Sequence, residues 1–338
     1  MRWRLADRTL DLAQPVAAGI VNVTVDSMFE GARSGTPERA VADGLGLVAA
    51  GFDMLDVGAV AAKSGPPVST EDEAATLVPA IEGLAAATGP PRGVGLEARS
   101  HFLPHSGGNH DRASSYSRSG RRRTGGGVAI SADTFSPEVA RRALAAGAHA
   151  VNDISGGSEE MFGLVAESGC GYVLMHIEGP PRVDRPWRDY GDVVDHLKAW
   201  FEGRVELAGS LGVAEEQIAI DPGLDFDLSP DQDLEILRRL GELRSLGLPL
   251  YVSLSRKDFI GAVLAGSWEE RLPPGAREWG TVAAVALAVR EGADVLRIHD
   301  RSSLQAMRVA AQISRATEVD GPQTPLYGGK SAHRRGGD

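Results

Sequence analysis

Eight short apolar runs recur along the chain, and most are followed by a stretch with helical spacing. They are "VAAGIVNV" (16–23), "FDMLDVG" (52–58), "VAISAD" (128–133), "AVNDI" (150–154), "GYVLMH" (171–176), "QIAIDPG" (217–223), "LPLYVSL" (248–254) and "VLRIHD" (295–300). Nearly continuous apolar content, rather than strict alternation, predicts strands buried on both faces, as in a parallel sheet. Between them, "TPERAVADGLGLVAAG" offers Thr36 as N-cap, Pro37 at the first helical position and Gly51 past the end. Ser136, Pro137 and Gly147 repeat the device, and Thr70 with Glu73 reads as a capping box. The pattern predicts one (β/α)8 TIM barrel over residues 16–316, with an open doubly wound sheet as the alternative.

Three segments fall outside this rhythm. Residues 1–15 read as a lead-in, and 317–338 as a disordered tail. Residues 90–127, rich in Gly, Ser and Arg, read as a disordered insertion between the second helix and the third strand. Its "RRR" invites a nucleic-acid reading and His101, His105 and His110 invite a metal; a solvated low-complexity loop is the reading adopted.

Polar residues gather at the strand ends: Asn22, Asp56, Asp133, Asn152, Asp153, His176 and Asp221, then Ser255-Arg256-Lys257, then Arg297 and His299. In a barrel these positions meet at the C-terminal rim, where such enzymes hold their sites. Arg297 and His299 stand at i and i+2, on one side of a strand, which inside a core demands an anion. Asp133, Asn152 and Asp221 supply acceptors suited to the amidine-like edge of a 2-aminopyrimidinone. Lys257 is placed to donate to that ring, and Arg297, His299 and Asn22 suit a phosphate, with or without a metal. The expected ligand has a donor-rich head and an anionic tail. Asp56 reads as a loop cap, His176 as either a pocket wall or a packed histidine, and Glu71, Asp72 and Glu73 as a dipole-favoured first helical turn.

Composition narrows the partners. A formal net charge of −11 disfavours nucleic acid and anionic membranes. One cysteine, Cys170, excludes an internal disulfide and suits a reducing compartment. No run approaches membrane-spanning length and the first residues lack a signal-like apolar core, so the expected location is cytoplasmic.

The order and spacing of "GIVNVTVDSMFEG", "DMLDVG", "SADT", "VNDISGG", "VLMH", "IDPGLDF", "SRKDFIG" and "RIHD" resemble the dihydropteroate synthases from about residue 16 to 316, apart from the insertion. The resemblance implies a barrel that condenses 6-hydroxymethyl-7,8-dihydropterin diphosphate with p-aminobenzoate. It also implies a pterin pocket of Asp133, Asn152, Asp221 and Lys257. The diphosphate side would comprise Asn22, Arg297 and His299, with Mg2+ near Asn22, and the catalytic set Lys257, Arg297 and His299. It further implies mobile loops after the first two strands (23–36 and 59–69) and a homodimer through the last helices.

Several positions depart from that family's pattern, most on the second-substrate side. Thr24-Val25-Asp26-Ser27 lacks the usual proline, and Ala61-Ala62-Lys63-Ser64-Gly65 replaces Ser-Thr-Arg-Pro-Gly. Asp225-Phe226-Asp227-Leu228 stands for Gly-Phe-Gly-Lys, and Asp258, where Ser is common, would repel the p-aminobenzoate carboxylate if it faced the site. Two further readings stay open: a pterin-binding paralogue without efficient turnover or with another amine, and a methyltetrahydrofolate:corrinoid methyltransferase. The latter gives no reason for the "SRK" and "RIH" cations.

Overall fold

The computed structural model describes residues 1–24, 34–63, 65–89 and 127–318. Most of the insertion, most of the tail and most of the loop after the first strand (23–36) lie outside the described residues. Eight parallel strands follow one another around the sheet: β3 (Val16–Asn22), β4 (Met54–Gly58), β5 (Ala129–Asp133), β6 (Ala150–Asp153), β7 (Gly171–Met175), β8 (Ile218–Asp221), β9 (Tyr251–Ser253) and β10 (Val295–Ile298). β10 pairs with β3, and the last gap is closed by the parallel bridge Ile220–Leu250, with Ile220 N donating to Pro249 O at 2.9 Å. That closure decides for the barrel over the open sheet.

The period of two along each strand divides the residues cleanly. Leu55, Val57, Ile130 and Ala132 face outward into one apolar layer against the helices. Val151, Leu174, Ile220, Val252 and Leu296 do the same in another. Inward, the lowest layer is Ala18, Met54, Ala129, Ala150, Val173, Ala219, Tyr251 and Val295. Four alanines leave that layer short of volume, and the N-terminal residues supply it. β1 (Arg2–Arg4) and β2 (Thr9–Asp11) form an antiparallel hairpin across the barrel floor. Trp3 and Leu5 are fully buried in it, Trp3 edge-on to Tyr251 at 6.4 Å. Trp3 Nε1 donates to Gln217 O at 2.8 Å, satisfying the indole as burial requires. The lead-in is therefore a plug. The mixed small pattern of residues 1–15 carries no strand signal of its own, because its partner is the barrel floor.

The helices stand where the capping residues put them. α1 (Pro37–Ala50) starts at Thr36, whose Oγ1 accepts from Arg39 N, and stops at Gly51 with φ 101°. α3 (Pro137–Ala145) starts at Ser136. For α2 (Thr70–Thr88) the cap is one residue earlier than expected. Ser69 Oγ accepts from Asp72 N at 3.1 Å, and Thr70 is the first helical residue. Glu73 is thereby released from the capping box and buried, accepting from Thr134 Oγ1 at 2.6 Å. The remaining helices are α4 (Glu159–Ser168), α5 (Val193–Ser210), α6 (Pro230–Arg238), α7 (Asp258–Ala265), α8 (Glu278–Arg290) and α9 (Arg301–Glu318).

Candidate active site

Directly above the apolar floor the barrel interior turns polar. Asp56 on β4, Ser131 on β5, Asn152 on β6 and Arg297 on β10 face one another across the barrel. Asp56 is fully buried and its Oδ2 accepts from Arg297 Nε at 2.5 Å and from Asn152 Nδ2 at 3.1 Å. Its Oδ1 accepts from Ser131 Oγ. Arg297 NH2 donates to Asp133 Oδ2 at 2.6 Å. A largely buried arginine, 16% exposed, between two carboxylates answers the demand that the i, i+2 cations raise in the sequence: the first anion is supplied by the protein itself. Burial opposes the Arg297 charge, but Asp56 and Asp133 hold it well above its usual range. Asp56, read as a loop cap, is instead the hinge of this network. The signal in the sequence was parity, since Asp56 shares its face of β4 with Met54, which lines the floor.

Asp133, Asn152 and Asp221 line one cleft at the C-terminal rim, together with Asn22, Lys257, Arg297 and His299. The predicted pterin and diphosphate residues are therefore brought together. With Nδ2 committed to Asp56, Asn152 offers its amide oxygen as acceptor. Burial pushes Asp133 up to about 7, against the pull of Arg297, and Asp221 up to about 6, against its bond from Gly223 N. Two carboxylates poised near neutrality suit a ligand that brings N–H donors.

Lys257 is buried, its Nζ donating to Leu224 O at 3.0 Å and lying 4.7 Å from the centroid of the Phe226 ring. Burial lowers its pKa. Arg256 before it has φ 54°, a conformation held by side-chain bonds to Asp300 (3.0 and 3.2 Å) and Pro274 O (2.8 Å). Arg256 is thus a brace for the turn that aims Lys257 inward. His299 is anchored through its backbone N to Ser255 Oγ at 2.8 Å. Burial, with Arg297, Arg256 and Lys257 nearby, holds its imidazole down at about 3. At neutral pH it is therefore uncharged.

The second-substrate side is built differently. Lys63 lines the cleft, yet its Nζ sits between Asp225 Oδ2 (2.7 Å) and Asp258 Oδ2 (3.0 Å). Asp258 also accepts from Arg277 NH1 at 2.7 Å. Burial raises the Asp258 pKa, but Lys63 and Arg277 outweigh it and hold the carboxyl at about 2. Among the described residues lining the cleft Asp258 is not one, so its feared repulsion is neutralised inside the protein. Asp225 caps the first turn of α7, accepting from Asp258 N and Phe259 N at 2.5 and 3.0 Å. Asp225 and Asp227 have φ 71° and 59°, the left-handed region that glycine enters freely. Asp227 is paired with Arg185 at 2.5 Å. The departures at 63, 225 and 258 are thus one linked set, whose remaining negative charge is met by Arg277.

Two further residues named in the sequence analysis, His176 and Cys170, lie outside the cleft lining. His176 is fully buried and packs away from the cleft against His196, Tyr190 and Trp200. Cys170 is buried and its thiol is pushed up to about 11 by burial, which makes it inert.

The chain matches the family model described as pterin binding enzyme over residues 18–91 and 120–299. It is 33% identical to the dihydropteroate synthase of Synechocystis sp. over 83% of this chain and 84% of that one. It is also 34% identical to the inactive dihydropteroate synthase 2 of Mycobacterium leprae, over 89% of this chain and 90% of that one. Among solved structures, Xanthomonas albilineans dihydropteroate synthase with 4-aminobenzoic acid superposes with a TM-score of 0.70 at 31% identity, covering 95% of this chain and 99% of that one. The residues of the cleft and these likenesses agree: the chain belongs to the pterin binding enzymes, among the dihydropteroate synthases, the transferases of folate biosynthesis.

Proposed function

We propose that the cleft joins the amine of p-aminobenzoate to the methylene carbon of 6-hydroxymethyl-7,8-dihydropterin diphosphate. A C–N bond forms, the C–O bond to diphosphate breaks, and the amine loses a proton. The observation that carries the reading is the juxtaposition, in one cleft, of an acceptor face (Asp133, Asn152, Asp221) and a donor rim of two cationic side chains, Lys257 and Arg297, with the neutral imidazole of His299. The acceptor face binds the pterin's N–H edge, and Lys257 donates to its ring. The electron-rich ring stabilises the developing cation, so the protein's work is to stabilise the departing anion and exclude water. Arg297 is fixed before substrate arrives by Asp56 and Asp133, so no reorganisation is required of it.

Mg2+ fits the rim beside Asn22. Mg2+ is held by few protein oxygens plus phosphate and water. Asn22 and Thr24 both line the cleft, and Thr24 Oγ1 is buried without a hydrogen-bond partner among the described residues. Asn22 and Thr24 would hold the ion, which would supply positive charge to the diphosphate.

A second reading is favoured by the neutralised Lys63: a member that binds pterin diphosphate but turns over p-aminobenzoate poorly, or takes another amine. Purified protein with dihydropterin diphosphate, p-aminobenzoate and Mg2+ separates the two. The synthase reading expects dihydropteroate and diphosphate in equal amounts. Pterin binding without diphosphate release would leave the second reading.

The homodimer is supported by exposed apolar side chains on the last helices: Val263 and Leu264 on α7, Trp279 on α8, Val309 and Ile313 on α9. A cytoplasmic location is supported by the unpaired, buried Cys170. Among the described residues no helix is long and apolar enough to cross a membrane.

A further inference from the structure

Beside the rim, behind β7, two imidazoles and a carboxylate converge on one point. His176 follows the last residue of β7 and is fully buried. Glu178 stands two residues later, and His196 lies in the first turn of α5. His176 Nε2 is 3.3 Å from His196 Nε2. Glu178 Oε1 is 3.1 Å from His196 Nε2 and 3.8 Å from His176 Nε2.

A triangle with those edges has a circumradius of about 2.0 Å, so an ion standing about 0.5 Å off its plane is about 2.05 Å from all three corners, within Zn–N and Zn–O bond lengths. Two of its edges, 3.3 and 3.1 Å, lie near the ~3.3 Å expected between neighbouring ligands of a tetrahedral ion at that distance, and the third, 3.8 Å, is wider. We propose that His176, Glu178 and His196 form a site for Zn2+, with the fourth position open to water or an exogenous ligand.

The surroundings hold the three groups in this arrangement. Glu178 Oε2 is 3.6 Å from Arg188 NH1, so the carboxylate is steered from outside while Oε1 points inward. The Tyr190 ring lies against His196 with centroids 4.3 Å apart, and Trp200 meets His176 edge-on at 5.0 Å. Two nitrogens and one oxygen are a donor set for a borderline ion such as Zn2+ rather than for Mg2+, which prefers oxygen alone. The site is therefore distinct from the Mg2+ position beside Asn22, and does not rest on the reaction proposed for the cleft.

The position gives the ion a structural consequence. His176 N donates to Asp221 O at 2.9 Å, so the site adjoins the strand end that carries a pterin acceptor. Met175, one residue before, lines the cleft. An ion here would clip the start of α5 and the chain from 177 to 192 onto the barrel rim.

The test uses the full chain, stripped with a chelator and titrated with Zn2+ by calorimetry, and with Co2+ followed by its visible absorption. The expected result is one ion per chain, the absorption of four-coordinate Co2+, and a higher Tm with Zn2+. His196→Ala and Glu178→Gln should each weaken binding by more than the ~10–100-fold that loss of an outer-shell partner costs. Replacing His101, His105 and His110 with Ala should leave it unchanged. Circular dichroism of the metal-free variants checks that they fold, and His196→Gln replaces His196→Ala where that variant does not. Absence of stoichiometric binding, or binding indifferent to His196 and Glu178, would overturn the site.

Discussion

The two sides of the cleft solve the same problem, charge in a nearly closed space, by different means. On the pterin and diphosphate side the charges stand on strands. Asp56, Asn152 and Arg297 are fixed by the barrel's pleat and bonded to one another across it. On the second-substrate side Lys63, Asp225 and Asp258 stand on loops or at a helix start, and their positions depend on each other's charge. A strand-borne network keeps its geometry when a ligand leaves. A loop-borne one is set by whichever counter-charge is nearest, so it is the side where substitutions at three positions can offset one another.

The sharpest break of this contrast is Arg297→Ala. Removing one partner of a buried ion pair costs about 3–5 kcal/mol, because Asp56 and Asp133 remain. Turnover should also fall by about 10²–10³ or more, the usual loss for a preorganised anion-stabilising donor. Denaturant unfolding and diphosphate release measure the two. A variant as stable as the parent would show that the barrel does not depend on this arginine.

Lys257→Ala should weaken pterin diphosphate binding by about 1.5–3 kcal/mol, roughly 10–100-fold, through loss of a charge-assisted hydrogen bond. Its effect on stability should be much smaller, since among the described residues the Lys257 ammonium meets no carboxylate within ion-pair distance and is held by Leu224 O at 3.0 Å and the Phe226 ring. Equal losses in binding and stability would place Lys257 among the structural groups.

The pH dependence of pterin binding sharpens the acceptor face. Asp221 and Asp133 are raised to about 6 and 7 by burial, so the unliganded fold keeps protons that the unfolded chain releases near 4. Stability from this pair is present below about pH 4 and is lost as pH rises through those values. His299, held near 3, works in the opposite sense: its contribution is lost as pH falls towards 3. Binding of a pterin lacking phosphate isolates the carboxylates. Affinity should rise towards pH 8, by up to about tenfold per unit below the carboxylate range for each proton released. Calorimetry in two buffers should detect release at pH 6 and little at pH 8. No release at pH 6 would remove Asp133 and Asp221 as the ionised acceptors.

On the loop side, Asp258→Ser removes one of the two anions that occupy Lys63 and restores the residue common in the family. Freed of it, the ammonium gains about 1 kcal/mol towards a carboxylate, so the KM for p-aminobenzoate should fall roughly fivefold. An unchanged KM would mean that Lys63 does not meet the second substrate.

What was legible in the sequence follows the same divide. Strand order, the rim position of Asp133, Asn152, Asp221, Arg297 and His299, and the caps at Thr36 and Ser136 rest on local pattern. Each holds in the structure. Asp56 reads as a loop cap in the sequence because a carboxylate at a strand end is more often a turn former, and its partner Arg297 is 241 positions away. The N-terminal plug leaves no local signal because its burial depends on four alanines spread over four strands. The Lys63 set appeared as unrelated substitutions. Only the fold shows that Lys63 reaches Asp225 and Asp258, separated from it by 162 and 195 positions.

The smallest expected effect tests whether the aspartates at glycine positions are compensated. Asp227 has φ 59°, which costs a side-chain-bearing residue about 1–2 kcal/mol relative to glycine. Asp227→Gly relieves that strain and at the same time removes the pair with Arg185, whose partners are 16% and 12% exposed. A part-buried, short, charge-assisted bond contributes about 1.5–3 kcal/mol. The two terms oppose, and glycine also frees the unfolded chain, so the net destabilisation should be only about 1 kcal/mol. Arg185→Ala, which loses the pair and keeps the strain, should be more destabilising than Asp227→Gly. Should the order reverse in denaturant unfolding, the aspartate is held by something other than Arg185, and the loop side is not the set of paired charges described above.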